Sequence, residues 1–177
     1  MSQAETDKTE GEITLRPLNA GDQDFLWEVL YEALWDPPGA PRRPRSMLEK
    51  PLVAAYVENW GSGTHDLGFV ATTATGRHAG AVWSRLLLPP LAGGAFFDEY
   101  TPQLGITVFP AWKRQGIGER LLRHHLATAR GLSPRLSLGV HPENIGAIRL
   151  YERCGFRQFA SGAGGFLNMV ADIIPNL

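Results

Sequence analysis

The amino-acid sequence predicts an α/β protein in which a mixed β-sheet of about six or seven strands carries about four helices, in the order βαα-ββ-βαβ-αββ. Two patterns predict this class. Short runs alternate apolar and polar residues, as strands do, and other runs space apolar residues three and four apart, as helices on a sheet do. A strand at 104–108, a helix from about 116 and a strand at 136–140 form a central crossover. We expect this crossover to be right-handed, with its two strands parallel.

Length and composition exclude several classes of protein. The chain has 177 residues, 44% of them hydrophobic, and a formal net charge of −1. This balance excludes a disordered chain and lacks the basic field that nucleic-acid binding requires. The longest mostly apolar stretch, residues 86–97, is broken by prolines and glycines, so we expect no membrane span. We expect residues 1–11 to be a disordered tail and 12–177 to be a single domain.

Cysteine usage and the chain start indicate a compartment. The single cysteine permits neither an internal disulfide nor a Cys-x-x-Cys metal site. The polar, partly acidic start does not resemble a signal peptide. The sequence therefore predicts a soluble, cytoplasmic protein without a bound metal.

The N-terminal part of the chain predicts one strand and two helices. Residues 13–15 alternate apolar and polar side chains, as a short strand does. Asp22 is a candidate cap for a helix that runs to about Trp35. A loop with four prolines follows, and Ser46 is a candidate cap for a second helix that runs to about Asn59.

The middle of the chain predicts strands. The runs at 67–75 and 79–87 are joined by a short Gly-Arg-His connection, which is typical of a hairpin. The stretch at 88–100 is rich in glycine, proline and aromatic residues and is predicted to be a loop. The strand at 104–108 follows it.

Two further units complete the chain. The helix that begins near residue 116 is expected to end at Gly131, and Asn144 is a candidate cap for the last helix, which Gly155 closes. The final strands are predicted at 156–159 and 166–172.

A glycine turn separates the strand ending at Val108 from the helix that follows. Gly116 and Gly118 let a ligand approach the backbone where the first helical amides lack internal acceptors and carry partial positive charge. This arrangement suits a phosphate or pyrophosphate, with Lys113 and Arg114 assisting. The same pattern is also compatible with a plain tight turn.

The standard nucleotide motifs do not fit this turn. A dinucleotide fingerprint requires a third glycine where Leu121 stands, and a P-loop requires Gly-Lys-Ser/Thr, which does not occur.

The histidines and the cysteine give weaker signals for other chemistries. His124 and His125 are adjacent and point in different directions on a helix, so we expect a solvated or half-buried pair rather than a metal site. Cys154 continues an apolar stripe, which favours a core residue over a nucleophile.

Two blocks of sequence resemble a known family. The first comprises Leu104-Gly-Ile-Thr-Val108, Pro110, Lys113-Arg-Gln-Gly116-Ile-Gly118 and Leu121-Leu122. It resembles the acetyl-CoA-binding motif of the GNAT superfamily of N-acetyltransferases. The second comprises Leu138-Gly-Val140, Asn144, Ala147, Leu150-Tyr151-Glu152 and Gly155-Phe156, and it resembles the superfamily's next motif at the expected distance.

The resemblance implies that acetyl-CoA is the co-substrate and assigns roles to residues. The CoA pyrophosphate would be held by Lys113 and by the backbone amides of residues 114–119. These residues are Arg114, Gln115, Gly116, Ile117, Gly118 and Glu119. The pantetheine arm and acetyl carbonyl would contact the backbone where the parallel strands splay apart, at Ile106, Thr107 and Val108. Asn144 would hydrogen-bond the cofactor or the incoming substrate. Tyr151 would protonate the leaving thiolate; the alternative is that it only belongs to the apolar stripe of its helix.

Two positions depart from the family pattern. Lys113 stands where arginine or glutamine is usual, and Gln103 stands where relatives often carry a glutamate. An amide cannot act as a base. Deprotonating a lysine-like amine at pH 7 costs roughly 4–5 kcal/mol, against about 1 kcal/mol for an α-amino group. We therefore expect a weakly basic amine or a water-mediated base built from Asp98 or Glu99. The alternative for these two carboxylates is a solvated acidic loop.

The acceptor pocket is expected opposite the cofactor entrance, bounded by the first two helices. Six aromatic residues are available to line it: Trp35, Trp60, Trp83, Phe96, Phe97 and Tyr100. We expect about two of them to do so. Arg42, Arg43 and Arg45 are either solvated surface or a site for an anionic part of the acceptor. The predicted partner is a small-molecule or peptide amine, and the chain is expected to be a monomer or a homodimer. A non-catalytic CoA-binding sensor and a structural domain are the alternatives.

Overall fold

A single β-sheet runs through the computed structural model, which describes residues 12–173. The strands of this range are β1 Ile13–Pro17, β2 Leu67–Thr73, β3 His78–Arg85, β4 Gln103–Val108, β5 Arg135–Val140, β6 Arg157–Ser161 and β7 Leu167–Asp172. The α-helices are α1 Gln23–Ala33, α2 Pro51–Ala54, α3 Ile117–Ala129 and α4 Ile145–Arg153. The strand order is β1-β2-β3-β4-β5-β7-β6, which confirms the predicted mixed sheet with four helices. The predicted tail at 1–11 lies outside the described residues.

The sheet opens between its two parallel strands. The strands β1 to β4 form an antiparallel meander, and β5, β7 and β6 pair antiparallel on the other side. The parallel pairing of β4 with β5 joins Gln103 to Ser137, and the Ser137 N–H donates to the Pro102 carbonyl at 3.0 Å. Beyond that pair β4 continues to Val108 without a partner register on β5. The two strands therefore splay towards their carboxyl ends.

Helices cover both faces of the sheet. The helices α3 and α4 pack on one face, where Leu121, Leu122 and Tyr151 join the larger hydrophobic cluster. The helix α1 packs on the other face, where Leu26 and Val29 share a cluster with strand residues of β3. Alternation along β3 sends successive side chains to opposite faces, so one strand serves both clusters.

The predicted second helix is wrong in extent and in its cap. Residues Arg45–Glu49 form a 3₁₀ helix without a side-chain cap, so Ser46 does not have the predicted role. The short helix α2 begins at Pro51, and the chain turns on to residue 60. Pro51 lacks an N–H, and its ring restricts Lys50 to an extended conformation, with φ −69° and ψ 127°. A continuous helix through this point is therefore interrupted.

The predicted cap of the first helix is also wrong. Asn19 caps a 3₁₀ turn at Ala20–Asp22, accepting from the Gly21 N–H, and Asp22 makes no cap bond to α1. The Asp22 carboxylate instead accepts from the Asn19 N–H at 3.0 Å and pairs with Arg16 at 2.8 Å. The helical segment therefore begins with the 3₁₀ turn at Ala20, before the position that a cap at Asp22 predicts.

Glycines end the other two long helices as predicted. Gly131 and Gly155 follow α3 and α4 with φ of +84° and +93°, a conformation that residues with a Cβ adopt at a cost. The loop at 88–100 contains no strand, as predicted. Among residues 12–173, no helix has the length and apolar content of a membrane span.

Candidate functional site

The gap between β4 and β5 opens into a cavity of about 850 Å³. At one end, which we call the α3/α4 end, the walls are the turn into α3 and the first turns of α4. At the other, the α1/α2 end, they are the carboxyl end of α1, the helix α2 and the segment before β7. The cavity therefore connects the two faces of the sheet through the opening between the parallel strands.

The turn into α3 has the backbone shape of an anion site. Gly116 is the N-terminal cap residue with φ +77°, and Arg114 also has a positive φ, +63°. Left-handed residues next to right-handed ones curve consecutive N–H groups around a concave space that attracts anions. No side chain caps α3. The first-turn amides are therefore available to a ligand.

Two cations and the room around Gly118 also favour an anion site at this turn. Lys113 and Arg114 line the cavity, and neither forms an ion pair within the described range. A Cβ at Gly118 would lie 3.5 Å from Leu150 Cδ2 and 3.6 Å from Val108 Cγ2, which is ordinary contact. Internal packing therefore does not require glycine at this position.

The residues that the resemblance assigned to the cofactor lie together in the cavity wall. Those that line it are Ile106, Thr107, Val108, Lys113, Arg114, Gly116, Ile117, Gly118, Glu119, Asn144 and Tyr151. Gln115 is exposed and does not contribute to the lining. Glu119 is held by Arg123 at 2.8 Å and Arg153 at 3.3 Å, which lowers the pKa of its carboxyl and ties α3 to α4.

The two polar residues of α4 face the same cavity. The Asn144 Oδ1 accepts from the Ala147 N–H at 3.3 Å, so this side chain caps α4 and keeps its amide N–H₂ for a ligand. Tyr151 lies two turns further on, about 10 Å along the helix. Burial raises the pKa of the Tyr151 phenol well above its ordinary value. This hydroxyl is therefore protonated throughout the neutral range and can act as a donor.

Gln103 is a structural residue rather than a member of the lining. Its side chain is fully buried, its Oε1 accepts from the Tyr56 hydroxyl at 2.7 Å, and its Nε2 donates to the Ala92 carbonyl. Burial raises the pKa of Tyr56 to about 12, so this phenol remains a donor. A carboxylate at position 103 would face the Ala92 carbonyl without a proton to share, which explains the amide.

The two acidic candidates for a water-mediated base lie away from the cavity. Asp98 accepts from the Tyr100 N–H at 2.9 Å and the Thr101 hydroxyl at 2.7 Å, and it lies 3.6 Å from Arg135. Neither Asp98 nor Glu99 lines the cavity. The contacts of Asp98 hold the loop before β4, and Glu99 is exposed.

Aromatic residues line the α1/α2 end. Of the six candidates, Trp35 and Trp83 contribute to the lining and the other four do not. Sequence reasoning missed Tyr56, His141 and Phe166, which also line it. A signal for His141 existed, because it directly follows the carboxyl end of the parallel strand β5, where ligands of open α/β sheets gather.

The three arginines of the proline-rich loop hold that loop in place. Arg42 lies 3.4 Å from Glu32, Arg43 lies 2.9 Å from Asp36, and Arg45 pairs with Glu28. The Arg42 and Arg45 guanidinium groups also lie within 5 Å of the Tyr31 ring centre. Their charges are thus neutralised by neighbours, which favours the surface role over an anion site.

Comparisons with known proteins agree with this geometry. The yncA protein of Salmonella typhimurium, solved with its cofactor acetyl-CoA, superposes with a TM-score of 0.64 at 19% identity, over 94% of this chain and 96% of that one. The ribosomal-protein-S18-alanine N-acetyltransferase of Escherichia coli gives 0.63 at 20% identity, over 94% and 97%. Mutant forms of the spermidine/spermine N-acetyltransferase of Vibrio cholerae give 0.60 at 19% identity, over 92% and 95%. At these identities the likeness concerns the fold.

Sequence comparison identifies the family. A search of curated protein sequences gave no match. The model of the acetyltransferase (GNAT) family matches residues 27–156, which is most of the chain and includes both motif blocks and the strands β4 and β5. This protein therefore belongs to the GNAT family of acetyltransferases, enzymes that use acetyl-CoA as co-substrate.

Proposed function

We propose that this protein transfers the acetyl group of acetyl-CoA to a primary amine by direct attack within a ternary complex. The observation that carries the proposal is one cavity whose lining residues come from both faces of the sheet, on either side of the gap between β4 and β5. Two substrates that enter from opposite ends can meet without a covalent enzyme intermediate. The one cysteine, Cys154, does not line this cavity, which also favours direct transfer.

The α3/α4 end suits the CoA half of the reaction. Uncapped amides at the left-handed turn around Gly116 match the acceptor oxygens of a diphosphate, and Lys113 and Arg114 add positive charge. One charge at a helix end contributes only about 0.3–1 kcal/mol, so several amide hydrogen bonds must supply most of the affinity. The unpaired edge of β4 at 106–108 would receive the pantetheine arm.

The chemistry assigned to the chain is positioning and proton donation. The amine nitrogen forms a bond to the thioester carbonyl carbon, the carbon–sulfur bond breaks, and the amine proton passes to solvent. Backbone N–H groups on the β4 edge would stabilise the oxyanion. Tyr151 would donate its phenolic proton to the departing thiolate and regain a proton from water. The phenol is a weaker acid than a thiol, which titrates near 8.5, so Tyr151 would first donate a hydrogen bond to the developing thiolate and pass its proton on as one from water replaces it.

A thiol-release assay with a panel of amines tests the proposal. We expect amine-dependent release of free CoA, and we expect Tyr151→Phe to lower kcat by about 10²–10⁴-fold, the usual contribution of a general acid. The affinity for acetyl-CoA, measured by calorimetry, should change little because the phenyl ring is retained. Undiminished turnover in Tyr151→Phe would remove the acid role.

A second candidate is a CoA-binding sensor that keeps the fold without the chemistry. Gln103 motivates it, because the amide is committed to Tyr56 and Ala92 and supplies no base. Acetyl-CoA binding with no turnover on any amine of a broad panel would support this candidate against catalysis.

A further inference from the structure

The α1/α2 end of the cavity is apolar and aromatic. Leu30, Leu34, Leu52 and Val53 line it on the helix side. The same end holds a group of three rings that we call the aromatic corner, formed by Trp35, His141 and Phe166. The His141 ring centre lies 4.9 Å from that of Trp35 and 5.4 Å from that of Phe166. A ligand at this end would therefore contact mainly hydrocarbon and ring faces.

The charged residues of this end are already neutralised. Glu32 and Arg43 line it, and each has a partner of opposite charge, Arg42 at 3.4 Å and Asp36 at 2.9 Å. A buried ammonium needs a carboxylate or several acceptors to replace its hydration. Among the described residues that line this end, no carboxylate is without an arginine partner. An acceptor with several ammonium groups would therefore be poorly compensated here.

The neutral polar groups of this end are few and mostly committed. The Tyr56 hydroxyl donates to Gln103, and the Asn168 amide donates to the Gly94 carbonyl at 2.6 Å. The His141 Nδ1 accepts from the Glu143 N–H at 3.1 Å, so the neutral ring carries its proton on Nε2. The ring is largely enclosed, with 15% of the side chain exposed. The Nε2–H of His141 could therefore donate one hydrogen bond to a ligand that is otherwise apolar.

We propose that the acceptor is a small monoamine carried on an aromatic body, whose ring packs against the aromatic corner and Leu52 while its single amine points to the gap between β4 and β5. The inference rests on the proposed function and adds a substrate class to it. Apolar contact supplies the binding, and the amine enters as the free base. An alkylamine therefore meets at pH 7 the deprotonation cost of roughly 4–5 kcal/mol given above, and its binding and turnover should strengthen as the pH rises.

Turnover and binding of three probes test the substrate class. With acetyl-CoA saturating, we expect kcat/KM for 2-phenylethylamine to exceed that for spermidine and for an Ala-initiated hexapeptide by at least about tenfold. In parallel, each probe is titrated into the protein–CoA complex by calorimetry. We expect 2-phenylethylamine to bind most tightly there, since CoA leaves the α1/α2 end open without permitting reaction.

Two exposed leucines provide a matched pair of variants. Leu52 is 48% exposed and lines the cavity, whereas Leu132 is 56% exposed and does not. Leu52→Asp should weaken 2-phenylethylamine binding by about tenfold and improve that of spermidine, because it adds a carboxylate to the apolar wall. Leu132→Asp should leave both affinities unchanged. Phe166→Ala should weaken 2-phenylethylamine binding while leaving acetyl-CoA affinity intact.

The outcomes separate the inference from the proposed function. Preferred acetylation of spermidine or of the peptide would overturn the aromatic-monoamine class and leave N-acetyl transfer standing. Tight binding of 2-phenylethylamine to the CoA complex without turnover of any amine would keep the ligand class and defeat the catalytic proposal. Absence of 2-phenylethylamine binding, or equal effects of Leu52→Asp and Leu132→Asp, would overturn the inference.

Discussion

At the scale of single residues, Asn144 combines two roles that a substitution pair can separate. Its Oδ1 caps α4, and its amide N–H₂ is left for a ligand. Asn144→Ala should cost about 0.5–2 kcal/mol of stability, as lost N-caps do. Asn144→Asp keeps a capping oxygen but loses the donor, so it should retain stability and weaken substrate binding. Denaturant unfolding and calorimetry measure the two effects, and equal affinity in Asn144→Asp and the wild type would remove the ligand role.

His125 shows a burial that adjacent histidines in the sequence do not reveal. The expectation of a solvated or half-buried pair is wrong for this residue, which is fully buried and shares a 2.9 Å hydrogen bond with the Ser84 hydroxyl. His124 is exposed instead, because residues one apart on α3 point in different directions. Burial first, and the neighbouring His124 second, lower the pKa of His125 to about 3.

This pKa predicts a loss of stability in acid. Unfolded chains bind a proton at this histidine below about 6.5, whereas the folded protein does so only near 3. The free energy of unfolding should therefore fall as the pH falls through this window, by up to several kcal/mol. His125→Gln removes the titration and should flatten this slope in urea unfolding at a series of pH values. His124→Gln is the control, and an unchanged slope in His125→Gln would contradict the assignment.

At the scale of elements, the turn into α3 can be tested with two glycines of positive φ, one beside the cavity and one far from it. Gly116 has φ +77° beside the cavity, and Gly76 has φ +82° in the hairpin between β2 and β3, with open space around both. Alanine should cost about 1–2 kcal/mol of stability at either site. Only Gly116→Ala should weaken acetyl-CoA binding, by about tenfold, because it disturbs the amides of the turn. Calorimetry on both variants checks this, and equal acetyl-CoA affinity would contradict the anion site.

The strand β4 tolerates no side chain next to Trp83. A Cβ at Gly105 would lie 2.4 Å from Trp83 Cζ2, whereas one at Gly139 on β5 would make its nearest contact at 3.6 Å. Gly105→Ala should destabilise the fold by about 1–3 kcal/mol, as overpacking does, and displace a ring that lines the cavity. Gly139→Ala should cost less. Thermal unfolding of both variants measures the difference, and equal unfolding temperatures would contradict this packing.

Elements were predictable where local chemistry determines them. Gly131 and Gly155 end their helices and Asn144 caps α4 because these features depend on neighbouring residues. The second helix was mispredicted because its apolar spacing outweighed the break that Pro51 imposes. The cap at Asn19 was missed because a 3₁₀ turn precedes α1.

At the scale of the whole molecule, the sequence located one half of the site better than the other. The α3/α4 end is built from one continuous stretch of chain, so its motifs were visible as spacing. The α1/α2 end brings Trp35, Tyr56, His141 and Phe166 together from four distant segments, and no local pattern shows that convergence. The role of Gln103 likewise depends on Ala92 and Tyr56, which the fold brings to it. The single domain at 12–177 and the oligomeric state stay predictions.

The central claim concerns where the diphosphate of acetyl-CoA binds, and a crystal structure of the complex tests it most directly. We predict that the diphosphate oxygens accept hydrogen bonds from backbone amides within residues 114–119, with the acetyl group between β4 and β5. A diphosphate held elsewhere, or an acetyl group outside the opening between these strands, would contradict the account.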